Sequence, residues 1–127
     1  MGSWIFVSSG AMEVFEERIR AKIWPVFKTT SNRNQIRVGD RIVFYKAGKD
    51  GKRFIGSAEV GSELIDSEDG DFKIKLNNTD VWKKGVLITD VLMELDFIKN
   101  KAAWSNYLVG GIRKMSDKSF EYLVRNH

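Results

Sequence analysis

The chain opens on SWIFVSS (3–9), a short run of aromatic and β-branched residues ending in two serines, which predicts a buried first strand. In AMEVFEERIRAKI, Met12, Phe15, Ile19 and Ile23 recur at helical spacing and Glu13, Glu16 and Glu17 enrich the early turns. The pattern predicts a helix of about 11 residues, with Ser8 and Ser9 as candidate N-caps and Pro25 as its stop. RVGDRIVFYKAG (37–48) and FIGSAEVGS (54–62) read as a strand pair joined by the polar hairpin KDGKR (49–53). DFKIKLN (71–77) alternates Phe72, Ile74 and Leu76 with Lys73 and Lys75, as a strand with one wet face does. GVLITDVLMELDFI (85–98) fits either a last barrel strand or a strand running into a helical turn. In SDKSFEYLVRNH, Ser116 is a candidate N-cap and Phe120, Leu123 and Val124 lie on one side of a C-terminal helix. Five or six strands with two or three helices predict an α+β, mainly β fold: a small mixed pseudo-barrel that the helices plug or flank.

Composition narrows the chemistry more than the fold. At 127 residues the chain fits one domain, 1–127. No apolar run approaches 18 residues and no charged-then-apolar N-terminus precedes the first strand, so neither a membrane span nor a signal peptide is expected, and the expected setting is the cytoplasm. There is no cysteine, and the one histidine, His127, is the last residue and is expected to fray. Zinc–thiolate sites, cysteine nucleophiles and Ser-His-Asp triads therefore drop out. Neither a metal nor a cofactor is expected. DSEDGD (66–71) fails as a calcium loop, because its fifth and twelfth positions would be Gly70 and Asn77. A formal net charge of +4 points mildly towards a polyanionic partner.

The order WIFVSS, helix, IWPV, polar loop, VGDRIVFY, hairpin, FIGSAEVGS and LDFIKNKAAW resembles the EVE domain family of the PUA-like superfamily over nearly the whole chain, with a more distant similarity to YTH and ASCH domains. The most specific pieces are GDRIVFY with the following G-x-AEV core and DFIKNKAAWSNYLVGG (96–111). The resemblance implies a PUA-like pseudo-barrel that binds RNA or DNA, with a modified base in an aromatic pocket, in an archaeal or bacterial stand-alone protein, and no enzymatic activity. Carried over, Trp24 matches the tryptophan that begins the pocket loop and stacks on the base. Ser9 matches a polar pocket residue of the YTH relatives, and Ser8 stands where those have a lysine. Residues 29–34 match the loop at the pocket edge, which makes Thr29, Thr30, Asn32 and Asn34, with Pro25 and Val26 beside the indole, candidate pocket residues. The connection GSELIDSEDGD has no aromatic, so the opposing wall is expected from Trp104, Tyr107 or Trp82.

The physics of base recognition suits such a loop, since stacking on aromatic faces is worth about 1–3 kcal/mol per base while polar groups read the base edge. Trp24 has packing on the barrel as its plainer role. Trp4 reads as core, Trp104 as either a pocket wall or a lock on the C-terminal segment, and Trp82 as an exposed loop aromatic between lysines. Lys22, Lys28, Arg33, Lys99 and Lys101 are candidate phosphate contacts, although surface cations are as often simply solvated. Arg37, Arg41, Lys46 and Arg53 share the half of the sequence that holds the pocket loop, and Arg113 and Lys114 join a second cluster near Trp104. The alternative from another class is a binder of a free modified nucleoside, or an enzyme using the same pocket with Glu59 or Asp90 as base. The protein is expected to be a monomer or a weak homodimer paired through Trp82 and Trp104.

Overall fold

The computed structural model describes residues 1–48, 51–67 and 70–127. β1 (Ser3–Ser8) is buried along most of its length because both of its faces are covered. Trp4 and Phe6 enter one apolar cluster with Ile42 and Phe44 of β3 (Arg41–Lys46), whereas Ile5, Val43 and Tyr45 enter another on the opposite face. Burial on both faces explains why these strands read as continuous apolar runs rather than as alternating ones.

β1 and β3 pair in parallel, with Ser8 opposite Lys46. β4 (Arg53–Val60) pairs antiparallel with β3, and β6 (Phe72–Leu87) with β4. The short β2 (Ile23–Val26), β5 (Ile65–Asp66) and β7 (Ile112–Met115) complete a mixed sheet in the order β2-β6-β4-β3-β1-β7, with β5 also on β6. The sheet curls into a half-barrel, the PUA-like architecture that the resemblance implies. α1 (Met12–Ala21) plugs its concave side with Phe15 and Ile19, while α2 (Ile88–Val91), the 3-10 segment Lys101–Leu108 and α3 (Asp117–Asn126) lie with the outer cluster. No helix among the described residues is long and apolar enough to cross a membrane.

The helix in 11–23 ends earlier than expected, and for a different reason. Lys22 adopts a left-handed conformation and its N–H returns to the Arg18 and Ile19 carbonyls, closing the helix three residues before Pro25. Pro25 belongs instead to edge strand β2, where a missing N–H is tolerated. Neither Ser8 nor Ser9 caps α1: its N-cap is Ala11, with no side-chain cap bond. At the other end of the chain Ser116 does cap α3, accepting from the Ser119 N–H at 3.1 Å, and Phe120 and Leu123 are buried while Val124 is exposed. The 85–98 segment is a strand that runs into helical turns. The hairpin 49–53 and the turn 66–71 each include two positions, 49–50 and 68–69, outside the described residues.

Trp82 is not an exposed loop aromatic. It sits inside β6, 4% exposed, with His127 stacked on it at 4.3 Å, so the C-terminal residue packs rather than frays. A dimer through an open Trp82 therefore loses one of its two aromatics. The pairing of β4 with β6 shifts register around Gly56, where an added Cβ would lie 2.6 Å from the Asp80 carbonyl oxygen. Gly56→Ala is expected to cost about 1–3 kcal/mol, read as a lowered urea midpoint.

Candidate functional site

The half-barrel does not close, and its two end strands, β2 and β7, leave a seam. In that seam lies a cavity of about 240 Å3 lined by Trp24 and Pro25 of β2, Gly111 and Ile112 at the start of β7, and Val7, Ser9, Gly10, Arg18, Phe27 and Thr30. It continues into an adjoining hollow that shares Val7, Ser9, Phe27, Thr30 and Gly111 and adds Thr29, Ala47 and Leu108–Gly110. Both sit at the carboxyl ends of the parallel strands β1 and β3.

The loop after β2 is fastened across the seam. The Asn32 side-chain N–H donates to the Ile112 carbonyl at 2.9 Å, and Lys28 N–H donates to Asp71 Oδ1 at 2.8 Å. Thr30 N–H closes a turn on the Phe27 carbonyl at 2.9 Å. Gly111 has a φ of 85° and packs against Thr30, with 3.3 Å between a built Cβ and the Thr30 methyl, so the wall at this point depends on a glycine.

Trp24 is the floor of this cavity rather than its open wall. It is 4% exposed and packs on Phe44 at 4.7 Å between ring centroids, with Phe6 and Phe15 each at 6.1 Å. The Arg18 guanidinium lies 5.1 Å from the indole centroid, so the expectation of an indole open to solvent is corrected. Arg18 has no acidic partner among the described residues, and burial pushes its guanidinium below the ordinary value while leaving it cationic. It also borders a more apolar hollow of about 410 Å3 with Val14, Ala21, Ile23 and Phe72, so the side chain stands between two spaces.

The open aromatic is Phe27, 54% exposed at the rim and lining both parts of the depression. Sequence reasoning missed Phe27 and Arg18. Arg18 flanks the apolar stripe of α1 between Phe15 and Ile19, the position from which a long stem lies along a buried surface. Phe27 gave only the weaker signal of an aromatic ending the apolar run Trp24-Pro25-Val26 where the polar loop begins.

Of the expected pocket residues the structure brings together Trp24, Pro25, Ser9 and Thr30, with Thr29 in the adjoining hollow. Val26 is core, and Ser8 is buried with its hydroxyl unpartnered among the described residues. Asn32 spends its amide on Ile112 and on Gln35 at 3.3 Å, and Asn34 is exposed outside the cavity. Trp104 and Tyr107 pack on the outer cluster and do not line the cavity.

The candidate cations are similarly divided. Lys22, Lys28 and Lys99 are exposed. Lys101 Nζ donates to the Leu95 carbonyl at 2.6 Å, and Arg33 donates to the Thr30 carbonyl at 3.1 Å. Arg41 pairs with Asp117 at 3.2 Å and lies over Phe120, which makes it structural. No carboxylate lines the Trp24 cavity among the described residues; Glu59 accepts from Asn78, and Asp90 is exposed on α2.

A half-barrel open at one seam, with an aromatic-floored cavity in it, is a PUA-like fold. The chain belongs to the EVE domain family, whose model matches residues 3–126. Comparison with curated protein sequences finds no match. Among solved structures the chain is similar to the Rhodopseudomonas palustris protein Rpa0253, with a TM-score of 0.72 at 16% identity over 98% of this chain and 92% of that one. Human THYN1 in complex with 5-methylcytosine-containing DNA matches with a TM-score of 0.68 at 10% identity, covering 98% and 96%. The YTH domain of Zygosaccharomyces rouxii MRB1 in complex with N6-methyladenosine RNA matches with 0.65 at 17%, covering 97% and 85%. At these identities the likeness is one of fold.

Proposed function

We propose that this protein is a nucleic-acid-binding module that takes one extruded base, in the favoured case a modified one, into the seam cavity between β2 and β7. The observation that carries this is an exposed aromatic, Phe27, at the rim of a cavity floored by the Arg18–Trp24 stack, with the hydroxyl-bearing Ser9 and Thr30 on its walls. Two proteins of the same fold are bound to methylated DNA and methylated RNA, which supports the class of ligand. A base stacks on an aromatic face or on a guanidinium plane, and both are offered here. Arg18 brings N–H donors with no acidic partner among the described residues, suited to acceptor atoms on a base edge. Lys28, next to Phe27, is the expected cation best placed in the chain to meet a phosphate.

The cavity and its adjoining hollow of about 480 Å3 have no general base among their described lining residues, which favours a reader over an enzyme. The test is an anisotropy titration with short labelled DNA and RNA strands, with and without a methylated base. Phe27→Ala removes an exposed ring, leaves the fold intact and is expected to weaken binding to the favoured strand by about tenfold to a hundredfold. Arg18→Ala is expected to narrow the preference among bases more than it lowers overall affinity. Unchanged binding of every strand by Phe27→Ala defeats the reading.

A further inference from the structure

Beyond Gly10 the depression gives way to a separate cavity of about 510 Å3, lined by Ala11, Met12 and Glu13 of the α1 start, Lys46, Arg53, Ile55, and Trp82, Lys83 and Lys84 of β6. Four cations face one carboxylate there. Lys46 donates one N–H to the Ala47 carbonyl and Arg53 one to the Lys84 carbonyl, which leaves each with further donors, and none of the four is in an ion pair among the described residues. The first turn of α1 opens on the same cavity without a side-chain cap; Val14 N–H is spent on the Ala11 carbonyl at 3.0 Å, so the Met12 and Glu13 N–H groups and the positive end of the helix are what an anion would meet. Trp82 lines the same cavity, and its buried Nε1 has no partner among the described residues.

The two cavities are neighbours along the chain. Ser9 borders the first and Met12 the second, three residues apart and so within about 11 Å. That distance is a few steps of a stacked strand at about 3.4 Å each. Ala47 lines the hollow joined to the first cavity and Lys46 lines the second, so the ends of β1 and β3 carry the path from one to the other.

We infer that the second cavity is a phosphodiester subsite, holding the backbone of the same strand a few nucleotides from the base in the seam. The inference rests on the proposed nucleic-acid reading and adds where the strand runs: across the start of α1 and onto the Trp82–Lys84 stretch of β6, rather than towards Lys99 and Lys101. The site reads charge and carries no sequence preference of its own.

The test is the anisotropy titration with a labelled single strand of about 12 nucleotides at several salt concentrations. Lys83 and Lys84 are both exposed, so the double variant K83E/K84E leaves the fold intact. It is expected to lose about tenfold or more in affinity for all sequences alike, with the salt slope reduced by about 1 to 2. Lys118→Glu with Arg125→Glu, on α3 outside both cavities, serves as the charge-matched control and is expected to bind nearly as the wild type does. Inorganic pyrophosphate at equal phosphate concentration is expected not to displace the strand; displacement would overturn the polymer assignment in favour of a free phosphate ligand. If K83E/K84E keeps wild-type affinity and salt slope while Phe27→Ala loses binding, the subsite is wrong and the base reading stands. If K83E/K84E loses binding while Phe27→Ala does not, the subsite stands and the base reading fails.

Discussion

Trp24→Ala lowers the thermal midpoint by on the order of 10 °C or more, well beyond the effect of any loop substitution at the seam. The ring is packed against Phe44, Phe6 and Phe15, so its loss leaves a void among aromatics that cannot easily collapse, at a cost of about 3–5 kcal/mol. Its effect on nucleic-acid binding is therefore inseparable from its effect on folding, and Phe27→Ala is the cleaner probe of the site. Trp24→Phe keeps most of the floor and is expected to lose much less. Calorimetry on the two variants checks this, and a Trp24→Ala midpoint within a degree or two of wild type would place the ring outside the core.

Asp40→Ala is the second large loss, at about 2–4 kcal/mol, because one buried carboxylate serves three N–H donors that the substitution leaves unpaired. Gly2 N–H reaches Oδ1, and the Trp4 indole N–H and Arg37 N–H reach Oδ2, each at 2.9 Å. Asp40 is 5% exposed. Burial alone raises its pKa, but the bonds from Gly2, Trp4 and Arg37 outweigh burial and hold the carboxyl below the ordinary value of 3.8. A carboxylate whose folded pKa is depressed contributes stability above its unfolded pKa, and that stability drains away as pH falls through the folded value. Urea midpoints of the wild type are thus expected to decline below about pH 4, and those of Asp40→Asn to start lower and decline less. Asp96, held down by Ser116 and Ser119, and Asp117, held down by Ser3 and Arg41, add smaller, solvent-screened parts of the same slope. Identical acid profiles for wild type and Asp40→Asn would contradict this assignment.

The strands buried on both faces were the most legible part of the fold. β1, β3 and β4 announce themselves as apolar runs of strand-forming residues, and the first half of β6 by strict alternation. What hid from the sequence was set by contacts across the sheet. β2 is four residues that include a proline, and it is a strand only because β6 pairs with it at the sheet edge. β7 offers only Ile112 and Met115 as apolar residues and owes its form to β1. β6 runs for 16 residues, against a mean strand of about 5–6, so the Trp82 half reads as a lysine-rich loop.

The site divided in the same way. The resemblance brought Trp24, Ser9 and Thr30 to one place, and the structure puts them on one cavity. That Trp24 is covered was not readable, because the group over it, Arg18, lies six positions away beyond a left-handed turn at Lys22. Trp104 and Tyr107 looked like a second wall by composition alone; the 3-10 segment that carries them faces the outer cluster.

The base-reading claim is tested most directly by following backbone amide and indole signals by NMR while a short methylated strand is added. The account predicts that the amides of residues 27–30 and 110–111 and the Trp24 indole shift together and saturably, before those of Trp4 and Trp104. Saturable shifts confined to the Trp104 segment or to α3, with the seam silent, would contradict it.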